Sequence, residues 1–200
     1  MHPSIRLATE ADAAQVRDIY APFCGDSAVS FELEPPSLDE MRRRIRDTLE
    51  RFAWLVCEDG GEVRGYVYAR PFRDRPAYQW SSEVTAYVRA GQRRGGVGRA
   101  LYTSLFEILK LQRIAMVYAG ITLPNEASVG LHEALGFRPS GVFRAAGYKI
   151  GAWHDVGFWQ LELQPRSPTP EPPIAAPQLL GSPAWDAALS AGLGLLRGVS

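Results

Sequence analysis

A carboxylate in the middle of an apolar-rich segment is the first candidate for acid–base chemistry. Glu83 lies within Trp80–Val88, and strand alternation puts it on the same face as Ser81, Thr85 and Tyr87. A carboxylate held beside a reacting amine can accept its proton. The pattern alone leaves two interpretations open for Glu83, a proton acceptor or a side chain that faces solvent.

A glycine-rich turn directly follows the segment that carries Glu83. It reads Gln92-Arg93-Arg94-Gly95-Gly96-Val97-Gly98-Arg99 and opens an apolar helix. Glycines let a ligand approach the backbone, and free amides at a helix start bind anions such as pyrophosphate. A dinucleotide fingerprint needs Gly or Ala where Leu101 stands, and a P-loop needs a lysine before the helix. Two interpretations of this turn remain, an anion-binding loop and a purely structural turn.

Other reactive side chains are few. His132 follows Asn125 by seven residues on a predicted helix, for which Asn125 is the N-cap. His154 and Asp155 have no third ligand at metal spacing, so no metal is expected. The two cysteines lie far apart and match no paired-ligand spacing, which argues against a disulfide framework.

The composition is that of a globular chain without the excess of positive charge that would attract polyanions. The 200 residues are 46% hydrophobic and 22% charged, with a formal net charge of zero. We therefore expect no nucleic-acid partner and no anionic membrane surface. No secretion signal or apolar run of spanning length is present, so we expect a cytoplasmic protein.

The chain divides by composition near Leu163. Residues 164–200 are rich in Pro, Ala and Gly, and they offer little apolar surface to offset the entropy of ordering. We predict one domain over 1–163 and a flexible tail over 164–200, with the option of a short docking helix at 184–197.

Strand and helix signals alternate through residues 1–163. Thr9 with Asp12, Ser37, and Asn125 predict helix starts, and Asp59-Gly60 predicts a hairpin turn. Tyr78–Val88 is predicted to be one strand. The resulting order, β-α-α-β-β-β-α-β-α-β-β, indicates an α/β fold with a mixed sheet and helices on both faces.

Several segments together resemble the phosphinothricin N-acetyltransferase family of the GCN5-related N-acetyltransferase (GNAT) superfamily. Arg93–Gly98 satisfies the coenzyme A loop pattern Gln/Arg-x-x-Gly-x-Gly/Ala. The resemblance extends from Ile5 to Leu163. The other matching segments are Ser30-Phe31, Arg75–Trp80, Ser82–Thr85, Leu123–Ser128, Leu131–Phe137, Arg144–Lys149 and Trp153–Leu161.

The resemblance implies a GNAT fold with a mostly antiparallel central sheet, and acetyl-CoA as cosubstrate. It implies that Glu83 is the general base, directly or through water, and that His132 assists as an acid, as a base relay or by contacting the substrate. The residues expected to hold the coenzyme are Ala86, Tyr87, Val88, Arg93, Arg94, Gly95, Gly96, Val97, Gly98, Arg99 and Asn125.

On the substrate side, the resemblance implies a small amino acid analogue such as phosphinothricin, methionine sulfone or methionine sulfoximine. Arg73 and Arg75 would bind its anionic or polar groups, with Phe31 and Tyr78 as walls. Resistance to a herbicide or antibiotic and a homodimer formed through the C-terminal strands are further expectations. The alternatives are acetylation of a polyamine, an aminoglycoside or a protein N-terminus, and a non-catalytic acetyl-CoA sensor.

Overall fold

A single mixed sheet organises the chain in the computed structural model, which describes residues 3–91 and 95–196. Its seven strands lie in the order β1-β2-β3-β4-β5-β7-β6. All neighbours are antiparallel except β4 and β5, which are parallel. The strands are β1 (Ser4–Leu7), β2 (Trp54–Asp59), β3 (Glu62–Pro71), β4 (Ser81–Val88), β5 (Met116–Leu123), β6 (Arg138–Lys149) and β7 (Ala152–Glu162). The predicted mixed α/β architecture is confirmed.

Helices cover both faces of the sheet, and the residues before them explain several of their starts. Ser37 accepts a hydrogen bond from the Glu40 amide at the start of α2, and Asn125 accepts one from the Ser128 amide at the start of α4. The Thr9–Asp12 capping box opens a turn of 3-10 helix, Glu10–Asp12, that leads into α1. The helices are α1 (Ala13–Gly25), α2 (Leu38–Leu49), α3 (Val97–Leu111), α4 (Glu126–Ala134) and α5 (Pro183–Ser190).

Strand alternation divides the core into two layers. In β2, Leu55 and Cys57 belong to the apolar cluster that includes α3. Trp54 and Val56 belong to the cluster that includes α1 and α2. In β4, Val84 joins the α3 cluster, whereas Tyr87 packs against the α1 and α2 cluster. Because Glu83 alternates with Val84, its side chain lies on the α1 and α2 side of the sheet.

Strand β4 is shorter than predicted and is only partly paired to β5. It begins at Ser81 and not at Tyr78, because Pro76–Tyr78 forms a turn of 3-10 helix with proline at its start. The parallel pairing joins Ser81 to Met116 and ends with Glu83 opposite Tyr118. Beyond Glu83, no residue of β4 pairs with a residue of β5.

Within residues 164–196, Ile174, Trp185 and Ala188 contact the domain. Helix α5 of this segment is shorter than the 184–197 span that the sequence allowed. Trp185 and Ala188 are buried in the α3 cluster, and the Ser104 hydroxyl of α3 donates a 2.8 Å hydrogen bond to the Leu189 carbonyl. The structure therefore packs this segment on α3 where composition favoured a free tail.

No helix in residues 3–91 and 95–196 has the length and apolar character needed to cross a bilayer.

Candidate active site

Glu83 forms an ion pair that the sequence did not indicate. It lies opposite Arg70 in the β3–β4 register, and the Arg70 guanidinium donates a 2.7 Å hydrogen bond to Glu83 Oε1. The Glu83 side chain is 16% exposed and that of Arg70 is 54% exposed. Although partial burial lowers the pKa of Arg70, the Glu83 charge and hydrogen bond raise it above its usual value.

The space beside Glu83 is bounded by a glycine and several rings. A Cβ built on Gly120 would lie 3.4 Å from the Phe158 ring and 3.8 Å from Glu83 Oε1. Tyr118, opposite Glu83 on β5, stacks on Phe72 with ring centroids 4.1 Å apart. Aromatic rings therefore partly enclose the Glu83 carboxylate at the point where the pairing of β4 with β5 ends.

The divergence of β4 and β5 fits a coenzyme arm. Past Glu83, the edge of β4 that faces β5 has no strand partner in the described part of the chain. The backbone of Ala86 and Val88 there suits a chain-like ligand, as in strand addition. Ala86 and Val88 turn their side chains towards the α3 cluster, and Tyr87 packs edge-on against Tyr20 on the opposite face. Strand β5 therefore does not block the predicted contacts between a coenzyme and the backbone of Ala86 and Val88.

The glycine turn fits a pyrophosphate where the structure describes it. Gly96 caps α3 in the left-handed region at φ +83, which favours glycine. A Cβ on Gly98 would lie 3.2 Å from Leu131, so α3 and α4 approach closely there. The amides at this helix start, from Val97 to Arg99, have no backbone acceptor among the described residues and suit an anion. Arg93 and Arg94 fall outside the described residues, whereas Gly95 lies within them.

Asn125 can serve both of its expected roles. Its side-chain oxygen caps α4 by accepting from the Ser128 amide at 3.1 Å. The two N–H groups of that amide make no hydrogen bond within the described chain, so they are available to a coenzyme. The cap fixes the side chain at the end of β5.

His132 is buried and bonded within the protein. The ring is 6% exposed, and its Nδ1 lies 2.8 Å from the Ser128 carbonyl oxygen, which can only accept. The Tyr102 hydroxyl therefore donates to Nε2 at 3.0 Å. Burial lowers the pKa of His132, although the hydrogen bond to Ser128 opposes this. The neutral ring has both nitrogens occupied and shares no hydrogen bond with Glu83.

The four predicted substrate contacts fall into two groups. Phe31 lies over Gly147 and near His154, with ring centroids 6.4 Å apart. Tyr78 packs on the edge of Phe72, over which the exposed Arg73 also lies at 4.4 Å. Arg75 is exposed at the start of the 3-10 turn. Arg73 and Tyr78 thus share Phe72, whereas Phe31 is held by a different element.

A cavity of about 580 Å³ adjoins the ion pair between α2 and the sheet. Arg70 and Pro71 lie on its wall, and Trp54 stacks on Tyr68 within it at a centroid distance of 4.2 Å. Both aromatic and charged side chains line the cavity. An amine whose reacting end meets Glu83 could extend its other groups towards this space.

Arg70 and Tyr102 are the site residues that sequence reasoning missed. Neither belongs to a motif, since each acquires its partner through strand or helix packing. Strand alternation in β3 could have placed Arg70 on the Glu83 face, but not opposite Glu83. Among residues 3–91 and 95–196, no group of three His, Cys, Asp or Glu side chains could hold a metal.

Comparisons with known proteins agree with this geometry. Residues 5–157 match the family described as Acetyltransferase (GNAT) domain. The chain is 45% identical over 171 residues to a phosphinothricin N-acetyltransferase of Streptomyces viridochromogenes, covering 85% of this chain and 93% of that protein. It is 35% identical over 173 residues to the L-methionine sulfoximine/L-methionine sulfone acetyltransferase of Pseudomonas aeruginosa, covering 85% and 100%.

A solved structure extends the similarity to a complex with the cosubstrate. It is a phosphinothricin acetyltransferase of Sinorhizobium meliloti in complex with AcCoA. The TM-score is 0.79 at 30% sequence identity, and the alignment covers 88% of this chain and 99% of that one.

Proposed function

Because the chain belongs to the GNAT acetyltransferase family and is an acetyl-CoA-dependent N-acetyltransferase, we propose that its acceptor is the amine of a small amino acid analogue. Phosphinothricin, methionine sulfone and methionine sulfoximine are the candidate acceptors, because relatives named for them align over most of this chain. The single observation that carries the proposal is the position of Glu83, a largely buried carboxylate at the point where β4 and β5 separate.

The residues on either side of Glu83 fit acetyl-CoA. The backbone of Ala86 and Val88 would hold the pantetheine arm, the α3 amides the pyrophosphate, and the Asn125 amide a polar group between them. Acetyl-CoA supplies a thioester that a neutral amine can attack. Arg93 and Arg94 remain predicted contacts outside the described residues.

In this proposal Glu83 provides the proton acceptor. An amine of pKa about 10 is almost wholly protonated near neutral pH, so it must lose a proton before it can attack. Arg70 occupies Glu83 Oε1, which leaves Oε2 for the ammonium or for an intervening water. Backbone amides of β4 would stabilise the negative charge that develops on the thioester oxygen.

We assign His132 a supporting place between α3 and α4, on the other side of the sheet from the Glu83 side chain. Its two nitrogens are engaged by Ser128 and Tyr102, so a direct substrate contact would first have to break one of these bonds. Among the described residues no hydrogen bond connects the Tyr102 hydroxyl to Glu83, so a positioning role for His132 is the one that its bonds favour.

Two of the rival acceptors, polyamines and aminoglycosides, fit less well. A polyamine or aminoglycoside carries several positive charges, and Arg70, Arg73 and Arg75 would repel them. A sensor that binds acetyl-CoA without turnover has no need of a carboxylate at the position of Glu83.

A homodimer and a cytoplasmic location complete the proposal. The β6–β7 hairpin exposes a run of large apolar side chains, which a second copy of the chain would cover. They are Val142, Phe143, Tyr148, Ile150 and Trp153. The cytoplasm is where acetyl-CoA would be available to the enzyme.

The test measures thiol release from acetyl-CoA with phosphinothricin, methionine sulfone, methionine sulfoximine, spermidine and an aminoglycoside. We expect turnover with the amino acid analogues and a loss of about 100-fold or more in kcat/KM for Glu83→Gln. Glu107→Gln, on the outer side of α3, is the matched control and should keep wild-type rates. Turnover confined to the cationic amines, or an undiminished Glu83→Gln enzyme, would refute the proposal.

A further inference from the structure

Arg70 and Glu83 together form a dipolar pair whose charges are fixed by the sheet. The two residues are register partners in the antiparallel β3–β4 ladder, where directly opposed side chains project from the same face about 5 Å apart. Their 2.7 Å hydrogen bond therefore does not depend on a flexible loop. A positive and a negative group are thus presented side by side at the proposed reaction centre.

The Arg70 guanidinium retains donors beyond the one that reaches Glu83. A guanidinium has five N–H groups arranged as a planar fork. In the described part of the chain, only Glu83 accepts a hydrogen bond from the Arg70 side chain. The side chain is about half exposed and lies on the wall of the 580 Å³ cavity. Its remaining N–H groups can therefore meet a ligand that approaches Glu83 from that side.

An α-amino acid has the charge pattern that complements this pair. Its ammonium and carboxylate are attached to one carbon, so the two charges are close neighbours. With the ammonium at Glu83 Oε2, the carboxylate would come within reach of the free edge of Arg70. An amine that lacks the carboxylate would leave this positive edge without a partner.

We propose that Arg70 is a substrate-binding residue that recognises the α-carboxylate of the acceptor, while Glu83 binds the acceptor's amine. This inference rests on the proposed function. The acceptors are then α-amino acids and their analogues, with the amine and carboxylate on the same carbon. Arg73 and Arg75, further along the chain, are left to contact the distal polar group.

The experiment compares two acceptors that differ only in this carboxylate. Methionine sulfone and 3-(methylsulfonyl)propan-1-amine share the sulfone, the chain and the amine. In the wild-type enzyme we expect kcat/KM to favour methionine sulfone by about 100-fold, and in Arg70→Met by less than about 5-fold. Arg70→Lys, which keeps the charge but loses the planar fork, should give an intermediate ratio.

Using a ratio separates recognition from other effects of the substitution. If Arg70→Met disturbs Glu83 or the fold, both acceptors lose rate and the ratio is preserved. Arg42→Met is the matched control, because Arg42 pairs with Asp39 on α2 at a distance from the sheet. It should keep the wild-type ratio.

Each outcome decides the matter. An Arg70→Met ratio equal to that of the wild type overturns the role of Arg70 and leaves the acetyltransferase proposal standing. Equal use of the two acceptors by the wild type also overturns it. A wild type that acetylates neither acceptor, nor phosphinothricin, overturns both proposals.

Discussion

The ammonium of Lys149, at the end of β6, lies 2.6 Å from the carbonyl oxygen of Ser30 in the loop between α1 and α2. It also donates to the carbonyl oxygens of Glu32 at 2.8 Å and Phe23 at 3.3 Å. The side chain is buried, with 5% of its surface exposed. The three hydrogens of the ammonium thereby connect the β6–β7 hairpin to the Phe31 loop and to the end of α1.

We expect Lys149→Met to loosen that loop and weaken acceptor binding. The substitution leaves two loop carbonyls, of Ser30 and Glu32, and the Phe23 carbonyl of α1 without this donor, at a cost of about 1–3 kcal/mol for each one that stays buried. The predicted result is an increase of about 10-fold in the KM for the amine, with the KM for acetyl-CoA within about 2-fold of wild type. Steady-state kinetics with each substrate varied in turn would measure both.

Lys110→Met is the control for this prediction, because Lys110 pairs with Glu107 on the exposed side of α3. Its kinetic constants should match the wild type. A Lys149→Met enzyme that binds both substrates normally would show that the loop holds its place without the ammonium.

The segment after residue 163 should contribute to stability. Trp185 is 3% exposed within the α3 cluster, and Trp→Ala in such a place costs about 3–5 kcal/mol. We expect Trp185→Ala to lower the free energy of unfolding by that amount, measured by urea denaturation. Leu180→Ala, at a side chain 48% exposed, should change it by less than about 1 kcal/mol. Equal stability of Trp185→Ala and wild type would mean that α5 is not held on α3.

The C-terminal segment illustrates what composition alone cannot reveal. Its proline density predicts little ordering, but prolines also fix turns, and large apolar residues stand close to them: Ile174 follows Pro173, and Trp185 is two residues after Pro183. The Ile174 amide donates to the Gln112 carbonyl oxygen at the end of α3. Such docking depends on the surface that α3 presents, which becomes defined only after the rest of the domain has folded.

The catalytic strand shows the opposite case. Period-two alternation was sufficient to put Glu83 on the face opposite Val84. The glycine turn was sufficient to predict the start of α3. Arg70 was missed because its contact with Glu83 depends on the register between two strands. Tyr102 was missed because a buried tyrosine on an apolar helix face has the same sequence pattern as any core residue.

We expect Trp153→Glu to shift the proposed dimer to monomer. Trp153 is 66% exposed and contacts Tyr148 across the hairpin, so a carboxylate there would put a charge into any interface formed by this face. Sedimentation velocity at micromolar concentration would measure the change. Leu33→Glu is the control, because Leu33 is 71% exposed but outside the hairpin. A wild-type protein that sediments as a monomer would contradict the proposed assembly.

His132 should make the folded protein acid-sensitive in a defined range. Because burial lowers the pKa of His132 in the folded state from its usual 6.5, the unfolded chain binds a proton first as the pH falls. Stability is therefore fully present above about pH 6.5 and is lost below it, with a slope of at most about 1.4 kcal/mol per pH unit. Asp12 and Asp155, whose pKa values are lowered from 3.8, lose their contributions only in more acidic solution.

Urea unfolding between pH 4.5 and 7.5 would isolate this contribution. We expect the free energy of unfolding of the wild type to decrease from pH 6.5 towards pH 4.5, and the decrease to be smaller in His132→Gln whatever its stability at pH 7.5. Leu180→Ala, at an exposed side chain that does not titrate, should retain the wild-type slope. If His132→Gln has the same slope, the ring must become protonated without disturbing its bonds to Ser128 and Tyr102, and the neutral tautomer assigned above would be wrong.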